Sequence, residues 1–192
     1  MSKVLELRER AAVPYHRWSV NEFHRMAGSG LLDESDRVEL IDGELVDMAP
    51  IASRQAFRVD RIARALQLAV GKAFLVRTQN PLLLGDRSEP QPDIALVKDR
   101  DYSDGHPVAA DVLLIVEVSD TTLEYDREVK VPLYARHGIP EVWLLDVKSG
   151  DLTVHREATD GGYRLIRKPL PAERISPLRV PEVTFVLAEA IG

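Results

Sequence analysis

The sequence predicts a mixed α/β fold in which one β-sheet is flanked by helices. Two observations carry this prediction: short apolar runs typical of strands recur along the chain, and amphipathic helical segments separate them. The chain has 192 residues, of which 45% are hydrophobic and 29% charged, as is usual for a globular protein. We therefore expect a single domain over residues 1–192, with its core at 15–160 and a C-terminal hairpin and extension at 151–192.

The first predicted element is a short helix near the N-terminus. Ser19 and Glu22 have the spacing of a capping box, in which each side chain binds the backbone N–H of the other residue. Glycine often follows the last residue of a helix, so we expect this helix to end near Gly28 or Gly30.

A β-hairpin is predicted next, around Asp42 and Gly43. Asp-Gly between two alternating runs is typical of a type I′ turn. In this register Ile41 pairs with Glu44, and Glu39, two residues before Ile41, lies on the same face as Glu44. Both faces also carry apolar residues, so we expect the hairpin to be covered on both sides.

The longest predicted helix covers residues 54–71. Its apolar stripe has helical spacing and consists of Ala56, Val59, Ala63, Leu66 and Val70. At about 100° per residue, four arginines lie on or beside the opposite side. They are Arg54, Arg58, Arg61 and Arg64. Clustered positive charge favours a phosphate-binding face, and an ordinary solvated helix surface is the alternative.

Further strands and one more helix are predicted in the rest of the chain. The strands cover residues 73–77, 93–97, 112–118 and 142–145, and a late hairpin joins 151–156 to 163–167. Residues 126–136 are predicted to be helical, with Asp126, Lys130 and Tyr134 on one face and Tyr134 in the core. Pro132 removes one backbone hydrogen bond from this segment, so we expect a short or kinked helix.

The composition excludes several classes of protein. The absence of cysteine rules out disulfides, thiolate zinc sites, iron–sulfur clusters and a cysteine nucleophile. A net charge of −6 argues against a general nucleic-acid coat, although it allows a local basic face. No apolar run reaches the roughly 18 residues of a membrane-spanning helix, and the N-terminus has no signal-peptide core. We therefore expect a cytoplasmic protein without a membrane partner.

Two carboxylates are the main candidates for chemistry. Glu117 ends a nearly continuous apolar run and is predicted to be buried. A buried carboxylate must be paired, protonated or bound to a cation, and a salt bridge to arginine or lysine is the ordinary alternative. Asp93 follows Pro92 at the start of another strand, where the alternative is a loop aspartate that accepts backbone N–H groups.

Neighbouring strands can bring Asp93 and Glu117 to one edge of a sheet. Oxygen ligands of this type suit Mg²⁺ or Mn²⁺. Such an ion binds a phosphate oxygen and lowers the pKa of a bound water, and a nearby lysine would orient that water or neutralise the phosphate. The two residues together therefore predict a metal-dependent phosphate site.

With these residues the sequence resembles a known group of proteins. Asp93 and residues 117–119 are similar to the core motif of the PD-(D/E)XK nucleases. Four stretches, in order, resemble the Uma-two-type family of bacterial restriction endonucleases: residues 39–44, 91–93, 117–119 and 125–143. The resemblance covers residues 15–160. It implies a restriction-endonuclease-like fold, with a mixed sheet flanked by helices and preceded by a helix and a hairpin.

The resemblance also implies roles for individual residues. It implies that Asp93 and Glu117 bind the metal ion, with the Val118 carbonyl as a third oxygen ligand. Ser119 stands where the superfamily usually has its lysine, and the family implies that Lys130 of the next helix replaces it. For Lys130 the ordinary alternative is an ion pair with the aspartate four residues earlier.

Two further positions bear on the activity of such a site. Glu39 is the preferred additional carboxylate, because it lies deeper in its strand than Glu44, which otherwise flanks the turn. Gln55 stands where the family often has a histidine. If that histidine is needed for the chemistry, this member would be altered or slower.

These residues and the resemblance predict a Mg²⁺- or Mn²⁺-dependent endonuclease that hydrolyses a phosphodiester bond of DNA. Asp93, Glu117, Lys130 and Glu39 would be catalytic, and the arginine-bearing helix would bind DNA. One alternative is a catalytically silent nucleic-acid or protein interaction module of the same fold, which the net charge of −6 favours. Another is a hydrolase of a smaller phosphate ester. A homodimer stays open by analogy with nucleases that cut both strands.

Overall fold

The computed structural model describes residues 15–32, 36–186 and 188–189. It confirms the predicted mixed α/β fold, because six strands form one mixed sheet with helices packed against it. The N-terminal hairpin and a short C-terminal strand pair form two separate two-stranded sheets. No helix within the described ranges is both long and apolar enough to cross a membrane.

All helices and strands predicted from the sequence are present, with bounds shifted by a few residues at most. The helical elements are α1 (Val20–Gly28), α2 (Ser53–Val70), α3 (Leu123–Tyr125), a π-helical turn (Asp126–Lys130) and α4 (Val131–Arg136). The strands are β1 (Val38–Ile41), β2 (Glu44–Asp47), β3 (Phe74–Thr78), β4 (Ile94–Lys98), β5 (Val112–Ser119), β6 (Glu141–Asp146), β7 (Leu152–Thr159), β8 (Gly162–Arg167), β9 (Arg174–Ile175) and β10 (Phe185–Val186). The sequence pattern does not predict the two-residue strands β9 and β10.

The central sheet has the strand order β3-β4-β5-β6-β7-β8. Only β5 and β6 are parallel in this sheet, and the other neighbours are antiparallel. A parallel pair needs a crossover connection, which α3, the π-helical turn and α4 provide. The crossover starts where β5 ends, so its first turns lie next to the carboxyl end of that strand.

Side chains of β5 alternate between two apolar cores, one on each face of the sheet. Leu114, Val116 and Val118 belong to the core that α2 covers. Ile115 belongs to the opposite core, which α4 covers. Because strand side chains alternate, Glu117 points to the same face as Ile115 and therefore towards α4.

The hairpin has the predicted register, with Ile41 opposite Glu44 and Glu39 opposite Val46. The φ angles at its turn are 49° for Asp42 and 79° for Gly43. Two positive φ angles are the signature of the predicted type I′ turn.

The expectation that the hairpin is covered on both sides is wrong for its second strand. Glu39, Leu40 and Ile41 of β1 are buried, whereas every residue of β2 is exposed or half-buried. Leu40 also pairs with Glu89 on the other edge of β1. β1 is therefore the inner strand of the hairpin and β2 the outer one.

The helices before the sheet agree with their sequence patterns. Ser19 and Glu22 form the predicted capping box. In α2 the predicted stripe residues Val59, Leu66 and Val70 are buried, whereas Ala56 and Ala63 are half-buried. Ile62, which the predicted stripe does not include, is also buried.

The short helix predicted after β5 contains a π-helical turn, which is wider than an α-helical turn. Val131 N–H donates to the carbonyl of Asp126, five residues earlier. Pro132 has no N–H for the ordinary bond to residue 128, and the wider turn accommodates this loss. π-helical turns of this kind occur frequently at functional sites.

Candidate active site

A pocket of about 290 Å³ opens where the end of β5 meets the start of β4. Its lining comes from the hairpin and the residues after it, the start of α2, the segment between β3 and β4, the end of β5, and the turn after β5. Glu39, Asp93, Glu117 and Lys130 line this pocket. The structure thus brings the four residues with predicted catalytic roles to one place, although they are distant in sequence.

Two hydrogen bonds, each from a backbone N–H to a carboxylate oxygen, hold Asp93 and Glu117 together. Val118 N–H donates to Asp93 Oδ2 at 2.9 Å, and Asp93 N–H donates to Glu117 Oε2 at 3.3 Å. The antiparallel register sets Ile94 opposite Val116. The residue before β4 therefore lies beside the end of β5, and a separation of 24 residues closes to direct contact.

Lys130 and Tyr134 reach the same oxygen of Glu117. Lys130 Nζ lies 2.9 Å from Glu117 Oε1, and the Tyr134 hydroxyl donates to that oxygen at 2.5 Å. Lys130 Nζ also lies 3.5 Å from Glu39 Oε2. Within the described residues the ion pairs of Lys130 are these two, rather than one with Asp126. Tyr134 is buried as expected, and its hydroxyl additionally orients Glu117.

Glu39 and Glu44 have different surroundings although they share a face of the hairpin. Glu39 is 4% exposed and accepts a hydrogen bond from the Gln91 N–H at 3.1 Å. Glu44 is exposed and forms an ion pair with Arg17 at 2.6 Å. Since β1 is the inner strand, only Glu39 of the two lines the pocket.

Ser119 holds the turn after β5 in place. Ser119 Oγ and Thr122 Oγ1 donate to Asp126 Oδ2 at 2.6 and 2.7 Å. Asp126 is buried and lines the pocket. Ser119 thus binds a carboxylate, and the lysine that reaches Glu117 comes from the π-helical turn.

The pocket holds more negative charge than its buried cation neutralises. Glu39, Glu117 and Asp126 are buried and Asp93 is half-buried, and Lys130 is the buried cation beside them. The exposed Arg37 and Asp47 also line the pocket, so five carboxylates there face two cations. Such an excess is costly in a buried site unless another cation or a proton compensates it.

The pKa values reflect this excess. Burial raises the pKa of Glu117 to about 8, and the neighbouring Lys130 offsets only part of the rise. Burial also raises the pKa of Asp93, against the effect of the Val118 N–H. Burial alone would lower the pKa of Lys130, but Glu117 and the other groups around it hold that pKa well above its usual value. Lys130 therefore stays charged at neutral pH.

Comparison with known proteins identifies the family of the chain. The model of the Uma2 family, described as "Putative restriction endonuclease", matches residues 20–188. The chain belongs to the Uma2 family. This confirms the family expected from the sequence, and membership supports an enzymatic role as a nuclease. No curated protein matches the sequence.

A solved structure shares the fold of this Uma2-family chain. It is the crystal structure of "a putative nuclease belonging to DUF820" from Anabaena variabilis, with a TM-score of 0.69 and 14% sequence identity. The similarity covers 90% of this chain and 97% of the other. An identity this low shows a common fold and assigns no residue roles.

The donor set of the pocket fits a hard divalent cation. Asp93 and Glu117 present only oxygen ligands, and burial raises the pKa of both carboxyl groups. No cluster of three or more histidine, aspartate or glutamate side chains in the described ranges is arranged as a metal cage. Mg²⁺ commonly uses one or two carboxylates together with water and phosphate oxygens, so a carboxylate pair is sufficient.

The arginines of α2 stand at different angles to the pocket. Gln55 lines the pocket, and about 100° per residue sets Arg58 roughly 60° and Arg54 roughly 100° from it around the helix. Arg64 falls on the opposite side, and Arg61 donates to the Glu189 carbonyl at 2.7 Å. Arg58 and Arg54 are therefore the members of this group directed most towards the pocket.

Two residues of the site have no role predicted from the sequence. Gln79 Nε2 donates to Asp93 Oδ1 at 3.2 Å, and Gln79 has a φ of 51°. Left-handed backbone is uncommon for glutamine, and no turn motif announces it. Tyr125 also lines the pocket, and its role depends on contacts that only the fold creates.

Proposed function

We propose that this chain is a Mg²⁺- or Mn²⁺-dependent endonuclease that hydrolyses phosphodiester bonds of DNA. The observation that carries the proposal is the meeting of Asp93, Glu117 and Lys130 in one pocket with uncompensated negative charge. Family membership supports a nuclease. The proposal adds the metal ion and the DNA substrate to that assignment.

Asp93 and Glu117 would hold the metal ion, with the Val118 carbonyl as a third oxygen donor. When bound, the ion polarises the scissile phosphate and lowers the pKa of a bound water. The contribution of the chain is to orient both carboxylates before substrate arrives. The Val118 N–H and Gln79 hold Asp93, and the Tyr134 hydroxyl holds Glu117.

Lys130 would bind the phosphate or orient the attacking water. Its ammonium stays protonated, so it can donate hydrogen bonds to a phosphate oxygen or orient a water molecule. The carboxylates of Glu117 and Glu39 fix its position from two sides. Glu39 therefore acts here by positioning Lys130, and it is also within the same pocket as the metal-binding pair.

The N-terminal half of α2 would bind the DNA backbone. Phosphate contacts from clustered arginines provide most non-specific affinity for DNA. Arg58 and Arg54 lie on the side of α2 nearest to Gln55 and the pocket, so they would contact the phosphates flanking the scissile bond. Arg61 and Arg64 would add longer-range attraction.

Plasmid cleavage with an isosteric variant tests this proposal. Wild-type protein should cut plasmid DNA in Mg²⁺ or Mn²⁺ and lose that activity in EDTA. Asp93→Asn should be slower by at least about 100-fold, because it weakens the metal site without changing the size of the side chain. Asp160→Asn removes an exposed carboxylate outside the pocket and should cut at the wild-type rate. A wild-type rate for Asp93→Asn would overturn the assignment.

A second candidate function is a catalytically silent nucleic-acid or protein interaction module. The observation that favours it is that Lys130 is already paired with Glu117 and Glu39, so the pocket carries a cation of its own. Calorimetric titration with Mn²⁺ separates the two functions. A nuclease should bind Mn²⁺ and lose that binding in Asp93→Asn, whereas a silent module should show no binding that this substitution removes.

A further inference from the structure

Tyr125 places a hydroxyl group without a hydrogen-bond partner in the candidate active site. Tyr125 ends α3 and directly precedes the π-helical turn. Its side chain is half-buried and lines the pocket, and its hydroxyl oxygen is shielded from solvent. Of the buried side-chain polar atoms that lack a partner in the described residues, it alone belongs to a residue lining this pocket.

Tyr134 differs from Tyr125 because its hydroxyl has a hydrogen-bond partner. The Tyr134 hydroxyl is buried and donates to Glu117 Oε1. A buried hydroxyl with no partner is unfavourable, and phenylalanine would fill the same space without that cost. The free protein therefore carries a donor at Tyr125 that its own fold does not use.

The Tyr125 hydroxyl is able to donate a hydrogen bond to an acceptor. Burial raises the pKa of the Tyr125 hydroxyl to about 12, and the charge of Glu39 adds to the rise. The hydroxyl consequently keeps its proton at neutral pH and acts as a donor. Lys130 is the cation that acts on it most strongly, so an anion drawn to Lys130 would enter the surroundings of Tyr125 as well.

We propose that Tyr125 is a substrate-binding residue whose hydroxyl donates a hydrogen bond to a non-bridging oxygen of the phosphodiester held in this pocket. This inference rests on the proposed nuclease function. In it Lys130 supplies a positive charge and Tyr125 supplies a directed hydrogen bond, so the two donors orient the phosphate against Asp93 and Glu117. A phosphodiester provides the acceptor that the protein itself lacks.

The test is Tyr125→Phe, measured for DNA cleavage and for thermal unfolding of the free protein. Loss of a hydrogen bond to a charged phosphate should lower kcat/KM by about 10- to 100-fold. The melting temperature should stay the same or rise, because the substitution removes an unpaired buried hydroxyl. Loss of activity without loss of stability is a pattern that a structural role would not produce.

Tyr102→Phe is the matched control. The Tyr102 hydroxyl donates to the Lys98 carbonyl at 3.0 Å, and Tyr102 lies outside the pocket lining. Its removal should lower the melting temperature slightly and leave kcat/KM unchanged. The two tyrosine variants should therefore show opposite patterns of stability and activity.

Specific results would overturn the proposal. A kcat/KM for Tyr125→Phe within about twofold of wild type would mean that the hydroxyl does not contact the substrate. A fall in melting temperature that accounts for the lost activity would make Tyr125 a structural residue.

Binding of a fluorescein-labelled DNA duplex in Ca²⁺ distinguishes this failure from that of the proposed function. If wild-type protein binds or cuts DNA and Tyr125→Phe is equal to it, only the role of Tyr125 is wrong. If wild-type protein neither binds the duplex nor cuts DNA in Mg²⁺ or Mn²⁺, the nuclease assignment and the role of Tyr125 fall together.

Discussion

Two buried carboxylates on neighbouring parallel strands have very different partners. Glu141 of β6 is fully buried, and its oxygens accept hydrogen bonds from the Trp143 indole, the Arg156 guanidinium and the Leu178 N–H. One carboxylate is there matched by one guanidinium. Glu117 of β5 instead shares Lys130 with Glu39 and borders an open pocket lined by five carboxylates and two cations.

The difference teaches that burial of a carboxylate in a strand is not by itself a mark of function. Both carboxylates form the salt bridge that is the ordinary alternative, Glu117 with Lys130 and Glu141 with Arg156. What distinguishes Glu117 is the imbalance of charge around it, which leaves room for a bound cation. The partner set, rather than the depth of burial, separates the two roles.

The position of Glu141 explains what its pairing achieves. Arg156 also donates to the Ser176 carbonyl, and Leu178 N–H binds the other oxygen of Glu141. The ion pair therefore fastens the segment after β9 to the sheet. Val180 and Val183 of that segment complete the apolar core against α2.

The largest expected effect is on stability at Glu141. Glu141→Gln keeps the shape but removes the charge that binds Arg156, and it should lower the free energy of unfolding by about 2 kcal/mol. Denaturant unfolding measures this loss. The folded fraction should retain wild-type Mn²⁺ binding, because Glu141 lies outside the pocket. If Glu141→Gln were as stable as wild type, or bound Mn²⁺ more weakly, the proposed difference between Glu141 and Glu117 would be wrong.

A second effect concerns the pH dependence of stability at Glu117. Its pKa is about 8 in the folded protein against 4.5 as the ordinary value, so between these values the folded state holds a proton that the unfolded state has released. The free energy of unfolding therefore falls as the pH rises through this window. Glu117→Gln has no carboxyl group that titrates at this position. The free energy of unfolding of wild type should therefore fall relative to that of Glu117→Gln as the pH is raised.

Thermal unfolding of both proteins in EDTA, between about pH 5 and pH 8, measures this difference. Wild type should melt at progressively lower temperature relative to Glu117→Gln towards pH 8. Parallel curves for the two proteins would show that Glu117 is as well compensated as Glu141.

The smallest expected effects are those of the arginines on α2. Arg58→Ala should weaken duplex binding several-fold and reduce the slope of log affinity against log salt by about 1. Arg64→Ala, on the far side of the helix from Gln55, should change both quantities less. Fluorescence anisotropy over a salt series measures them, and equal losses for the two variants would show that the whole helix face binds DNA.

Local patterns of the sequence predict much of the fold. The hairpin register follows from Asp42-Gly43 and from alternation, because a two-residue turn and a period of two leave one pairing that buries the apolar side of β1. The bounds of α1 follow from the capping box. The interruption before α4 follows from Pro132, whose missing N–H is a local property.

The candidate site is predicted only in part. Asp93 and Glu117 stand out because they are carboxylates at the ends of apolar strands, and Lys130 is found only through the family resemblance. Gln79 lies outside the motifs, and Tyr125 begins the last of them without a predicted role. Their contributions come from a left-handed backbone at Gln79 and from an unused hydroxyl at Tyr125. Both features exist only once distant segments are packed together.

The amino-acid sequence by itself determined the strands, the helices, the turn chemistry and the family of this protein, because those depend on spacing between near neighbours. Tertiary structure alone decided which buried acid has a full set of partners and which does not. It also decided that the π-helical turn delivers Lys130 to Glu117. Electrostatic balance depends on distances through space, which no local pattern of residues contains.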